Sequence, residues 1–189
     1  MVRQLSRRAA SLVSTLAGLV MVVSSATADQ TAAELPALFD QLRNAENQSA
    51  ASVLESRIWR LWLEAPDDGA AALMSQLTLA MQAGELDLAL ALSNQLVDSN
   101  PEFSEAWNKR ATVHYLMGNS DASVNDIREA LALEPRHFGA ISGLGLIFMR
   151  QGNFAAALQA FEQVLAITPA SSNAQRSAQR MRDEIGKKI

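Results

Sequence analysis

Gly84, Gly118 and Gly152 lie 34 residues apart, and so do Pro101, Pro135 and Pro169, each proline 17 residues after its glycine. Both residue types are scarce, 9 glycines and 5 prolines in 189 residues. At those frequencies a shared register has odds of roughly 10⁻⁴ even with the period left free. A chain carrying the same breakers at a fixed interval builds one local unit three times. The apolar residues say what that unit is. Ile141, Leu144, Gly145 and Phe148 fall at i, i+3, i+4 and i+7 before Gly152, and Ala157, Phe161 and Leu165 follow at i, i+4 and i+8 after it. One stripe on each side of a reversing glycine predicts two antiparallel helices per unit. Asn119 and Asn153 stand where a short acceptor can cap the second helix. Each proline ends that helix and is tolerated in the first turn of the next.

A helix-turn-helix unit of this length resembles the tetratricopeptide repeat (TPR), with its W-x2-L-G-x2-Y, A-x3-F, P pattern. The third unit supplies Leu144, Gly145, Ala157, Phe161 and Pro169, with Phe148 in the place of Tyr. The second supplies Trp107 and Pro135, with Ala111 for Gly, His114 for Tyr and Ile127 for Phe. In the first, Leu73, Gln76, Leu77 and Ala80 precede Ala89, Ser93 and Pro101. The resemblance spans residues 70–169 and divides them at 70–103, 104–137 and 138–171. It implies an all-α, right-handed α-solenoid of antiparallel helix pairs. Upstream, residues 35–69 read as a degenerate helix pair ending before Pro66, of the kind arrays use as a cap. Downstream, residues 172–189 read as a C-terminal solvating helix with Ala174, Ala178, Met181 and Ile185 on one face.

The first 28 residues are of another kind. Arg3, Arg7 and Arg8 precede an uncharged 15-residue stretch, and Ala26-Thr27-Ala28 follows. That is the layout of a secretory signal peptide cleaved after Ala28, and it predicts export, to a bacterial periplasm by preference. The alternative is an uncleaved membrane anchor, for which the stretch falls short of the roughly 20 residues of a span. Removing the three arginines takes the net charge from −4 to −7, which argues against nucleic acid as a partner. The chain has no cysteine, and His114 and His137 are its two histidines. No H-E-x-x-H pattern occurs, so no metal site is expected. No nucleophile elbow, phosphate loop or dinucleotide fingerprint occurs, so neither catalysis nor a cofactor is expected.

By the resemblance, positions 2, 5, 9 and 12 of each unit face a concave groove. They are Ala71, Met74, Thr78 and Met81; Glu105, Asn108, Thr112 and Tyr115; and Gly139, Ser142, Leu146 and Met149. Asn108 is the one residue of this set suited to a carboxylate clamp, with Arg150 beside the groove, so capture of a charged peptide end is not expected. Met74, Met81 and Met149 read either as an adaptable apolar surface or as filling between repeats. Met74, Thr78, Met81, Asn108, Thr112, Tyr115, Ser142 and Met149 are therefore the candidate partner-binding residues of a protein or peptide scaffold. Trp59 and Trp62, three residues apart, either pack between neighbouring helices or offer an alternative docking point, including for self-association.

Overall fold

A computed structural model describes residues 33–187, so the expected leader lies outside the described residues. Every regular element among them is helical: α1 Leu35–Arg43, α2 Gln48–Trp62, α3 Asp68–Ala83, α4 Leu86–Ser99, α5 Ser104–Met117, α6 Ser120–Leu133, α7 Phe138–Arg150, α8 Phe154–Ile167 and α9 Ser172–Gly186. The all-α solenoid expected from the period is the fold observed.

The repeat glycines reverse the chain by one device. Gly84, Gly118 and Gly152 have φ of 74°, 83° and 70°, a left-handed conformation that a Cβ disfavours. Each donates its N–H three residues back, to Met81, Tyr115 and Met149, and the following residue donates five back, to Ala80, His114 and Phe148. This double closure satisfies the orphan carbonyls of the first helix and turns the chain into the second. Asn153 then caps α8 by accepting the Ala156 N–H at 3.2 Å. Asn119 occupies the equivalent place but makes no such side-chain bond. The prolines sit three residues ahead of the next helix rather than in its first turn.

Buried side chains then join the pairs in series. Leu77, Leu92, Leu96, Phe103 and Val113 tie α3 and α4 to α5. Ala111, Ile127, Ala130, Ala140 and Ile147 tie α5 and α6 to α7. Ala157 and Phe161 meet Ala178 and Met181 where α9 covers α8. Between α5 and α6, Arg110 grips Asp126 through Nε at 2.9 Å and Nη2 at 2.8 Å, a planar two-point contact that fixes the pair's rotation.

The α1–α2 pair departs from this series. Its apolar face of Leu35, Leu38, Phe39, Leu42, Ile58 and Trp62 is buried with Phe138 and Ile141 of α7, Ala160 and Val164 of α8, and Ala174 of α9. Among the described residues, none in that cluster comes from α3 or α4. The hairpin folds back over the third unit instead of extending the stack beyond the first. Polar ties reinforce it. Thr168 Oγ1 donates to Glu55 Oε1 at 2.8 Å, Ser172 N–H donates to Gln48 Oε1, and the Arg136 guanidinium lies 4.2 Å from the centre of the Phe39 ring.

The turn geometry carries a direct test. Gly118→Ala forces a Cβ into the left-handed region and is expected to cost about 1–2 kcal/mol. Gly143→Ala, whose Cβ would meet Ile127 Cδ1 at an ordinary 3.6 Å inside α7, is expected to be neutral or stabilising by up to about 1 kcal/mol. Urea unfolding of both variants checks the pair, and equal effects would rule out the turn assignment.

Candidate functional site

Helices α5 and α7 lie side by side and open a cavity of about 180 Å³ between them. Asn108, Thr112 and Tyr115 supply one wall, Gly139, Ser142 and Leu146 the other, and Ser123 and Ile127 of α6 also line it. Four of the candidate residues, Asn108, Thr112, Tyr115 and Ser142, are thus brought together. The side chains of Asn108, Thr112 and Ser142, and of Ser123 beside them, donate back into the protein. Thr112 Oγ1 donates to the Asn108 carbonyl at 2.9 Å, Ser142 Oγ to that of Phe138 at 2.7 Å, and Ser123 Oγ to that of Ala111 at 2.7 Å. Asn108 Nδ2 donates to Glu105 Oε2 at 2.8 Å. The surface facing the cavity is mainly methyl, methylene and ring, so the site favours apolar groups over charged ones. Arg150 marks the rim, donating from Nη1 to the Tyr115 carbonyl at 2.9 Å with its guanidinium carbon 3.7 Å from the Tyr115 ring centre.

Beside this cavity lies a fully buried polar cluster. Glu105 begins α5 and His137 caps α7, and both side chains are 0% exposed. His137 Nδ1 accepts the Ala140 N–H at 3.2 Å, which leaves the ring proton on Nε2 to be donated to Glu105 Oε2 at 3.0 Å. Lys109 Nζ stands 3.3 Å from the other carboxylate oxygen. Trp62 of α2 covers the imidazole, its ring stacked at 4.2 Å and 12°. Burial by itself would push the Glu105 carboxyl up. The hydrogen bond and electropositive edge of His137, the Lys109 ammonium and the Asn108 amide outweigh it and hold the carboxyl below its ordinary value.

The remaining candidates lie elsewhere. Met74 is buried, and Met74 and Thr78 line a separate depression with Leu63, Ala65 and Leu79. Met81 packs on the α3–α5 core, and Met149 packs on the α8–α9 core with Phe148 and Phe154. The methionines therefore serve largely as filling between helices, not as one adaptable surface. Trp62 is 1% exposed. Trp59 is half-buried and turned inward, with edge contacts to Trp62, His137 and Phe138 at 5.4–5.5 Å. Gly139 makes room for it, since a Cβ there would fall 2.6 Å from the Trp59 ring. Burial corrects the reading of Trp62 as a docking point, since it is an internal joint, whereas Trp59 keeps part of its surface on a second cavity. His114 is half-buried, 3.8 Å from Asp126. Among the described residues no three His, Asp or Glu side chains converge on a metal-sized site.

No sequence pattern marks Glu105 and His137 as partners, because their pairing joins two repeats and has no helical spacing. A signal was present: His137 holds the place that Phe103 holds one period earlier, and an imidazole in a buried phenyl slot requires a partner.

The family model described as tetratricopeptide repeat matches residues 108–172. A TPR repeat-containing protein of Rhizobium etli is 32% identical over 151 residues, covering 80% of this chain and 74% of the relative. DnaJ homolog subfamily C member 3 of Rattus norvegicus is 33% identical over 99 residues, 52% of this chain and 19% of that protein. Among solved structures, the first TPR of Spaghetti (RPAP3) bound to the HSP90 peptide SRMEEVD aligns with a TM-score of 0.59 at 19% identity, covering 62% of this chain and 93% of that one.

Because the folded state holds the Glu105 proton less tightly than the unfolded chain, the pair's contribution is complete above the ordinary carboxyl value of 4.5. It is lost as pH falls through the lower folded value. Glu105→Gln is expected to cost about 1–3 kcal/mol at pH 7. The difference should shrink below pH 4.5. Denaturant titrations of both proteins at several pH values check this, and a gap that widens in acid would contradict it.

Proposed function

The chain belongs to the tetratricopeptide repeat family, and on that footing we propose that it is a non-catalytic scaffold holding a segment of another protein in the α5–α7 cleft. The observation that carries this reading is the convergence of Asn108, Thr112, Tyr115 and Ser142 from two successive units on one apolar cavity. The solved neighbour bound to its peptide SRMEEVD is an example of this fold holding a peptide. That peptide is acidic. Here the cleft is lined by neutral side chains, Lys109 faces Glu105 and Arg150 is engaged by Tyr115, so the occupant of this cleft is held by apolar contact in place of a carboxylate clamp.

The basic-apolar-small leader supports export, and the setting proposed is the bacterial cell envelope. A mature N-terminus at Asp29 in protein recovered from the periplasm is the check, and an intact Met1 would refute it. Self-association through Trp62 finds no support, since its ring is buried against His137.

The cleft reading is tested by cross-linking in an envelope extract. Thr112→Arg with Leu146→Asp places two charges in the cavity at exposed positions. The double variant should keep the melting curve of the parent and lose the captured protein by about tenfold or more. Undiminished capture by a folded variant would move the working surface elsewhere.

A further inference from the structure

A second cavity, of about 330 Å³, adjoins the first. Gly139, Ser142 and Leu146 line both, so the two form one trough along the exposed side of α7. Its far wall is not a repeat. It is α2 of the folded-back hairpin, which presents Glu55 and Trp59 one helical turn apart, opposite the start of α9. Glu55 is the one charged side chain lining this second cavity. It is half-buried, Thr168 Oγ1 donates to its Oε1, and among the described residues no Lys or Arg pairs with it. The start of α9 offers only the fractional positive charge of a helix end. A carboxylate in a cavity that Trp59, Phe138 and Phe161 also line, and without a paired Lys or Arg, gains most from a cation delivered with an apolar neighbour.

We propose that the trough selects a peptide segment carrying a Lys or Arg for Glu55 close to a bulky apolar residue that fills the space beside Trp59 and Leu146. This rests on the cleft reading above and adds the chemistry of its occupant. The ammonium or guanidinium donates to the free lone pairs of the Glu55 carboxylate, a charge-assisted bond strengthened by the apolar walls. The same charge repels acidic tails, so discrimination comes from repulsion as well as attraction. The hairpin is thereby part of the binding surface: its Trp59 adds to the aromatic lining that the repeats supply, and its Glu55 brings the charge that the lining repeat residues lack.

The test is selection of a phage-displayed library of random peptides on the immobilised full chain, followed by fluorescence anisotropy of the best synthetic binder. The expected winners combine Lys or Arg with a nearby Phe, Leu, Met or Trp. Glu55→Gln, which keeps an acceptor for Thr168, should weaken the best binder about tenfold. Replacing the peptide's cation by Gln should weaken it equally, and the two changes together should do little more. Glu55→Lys should turn selection toward acidic peptides. Winners that lose affinity for Leu146→Asp but show no basic preference, or ignore Glu55→Gln, would overturn the charge assignment and leave the cleft reading standing. Winners indifferent to Leu146→Asp, or no winners at all, would overturn both.

Discussion

The stack of Trp62 on His137, with Glu105 behind it, joins three helices that are far apart in sequence. Trp62 belongs to α2, His137 to the start of α7 and Glu105 to the start of α5. An imidazole with one nitrogen capping a helix and the other donating to a carboxylate can take only one orientation. Its flat face then dictates where an indole can lie. The joint has two effects at once: it locks the second unit to the third, and it places the α1–α2 hairpin over the third unit. Leaving either buried hydrogen-bond partner alone would be costly, so the arrangement is specific as well as stabilising.

Consequences for the concave side follow from that placement. In an array of helix pairs each unit touches its neighbours, and the inner surface stays open. Here one stretch of it is walled on both sides, by α5 and by α2 with α9, leaving a trough instead of a broad sheet of helices. Thr112 and Ser142 on the walls satisfy their donors within their own helices, and Ser123 and Thr168 satisfy theirs across helices. The trough is therefore mainly apolar between α5 and α7, and more mixed beside α2 and α9, where Glu55 supplies one local charge. A binding surface of that type distinguishes partners by the shape of an apolar side chain and the sign of a neighbouring group.

The architecture was legible in the sequence because it rests on backbone requirements. A left-handed turn at Gly84, Gly118 and Gly152 and a helix-ending Pro101, Pro135 and Pro169 leave residue-specific marks at a countable interval. The α5–α7 cavity was legible for a related reason, since unit position fixes which face of a helix Asn108, Thr112, Tyr115 and Ser142 occupy. Positions 2 of the second and third units were not. Glu105 is buried against His137, and Gly139 lies under Trp59, because the hairpin covers that part of the inner face. Apolar stripes on α1 and α2 announce that something is buried without saying against what, and no periodicity encodes a fold-back across two units. Met81 and Met149 illustrate the same limit, their long flexible side chains reaching from groove positions into the cores.

Proton–proton NOE spectroscopy on the intact protein measures the fold-back most directly. The account predicts cross-peaks between the Trp62 indole and the His137 ring protons, together with contacts and a ring-current shift at the Gly139 α-protons from Trp59. Cross-peaks from either indole to α3 side chains such as Leu73 or Leu77, with none to His137 or Gly139, would show the hairpin stacked on the first unit and would contradict it.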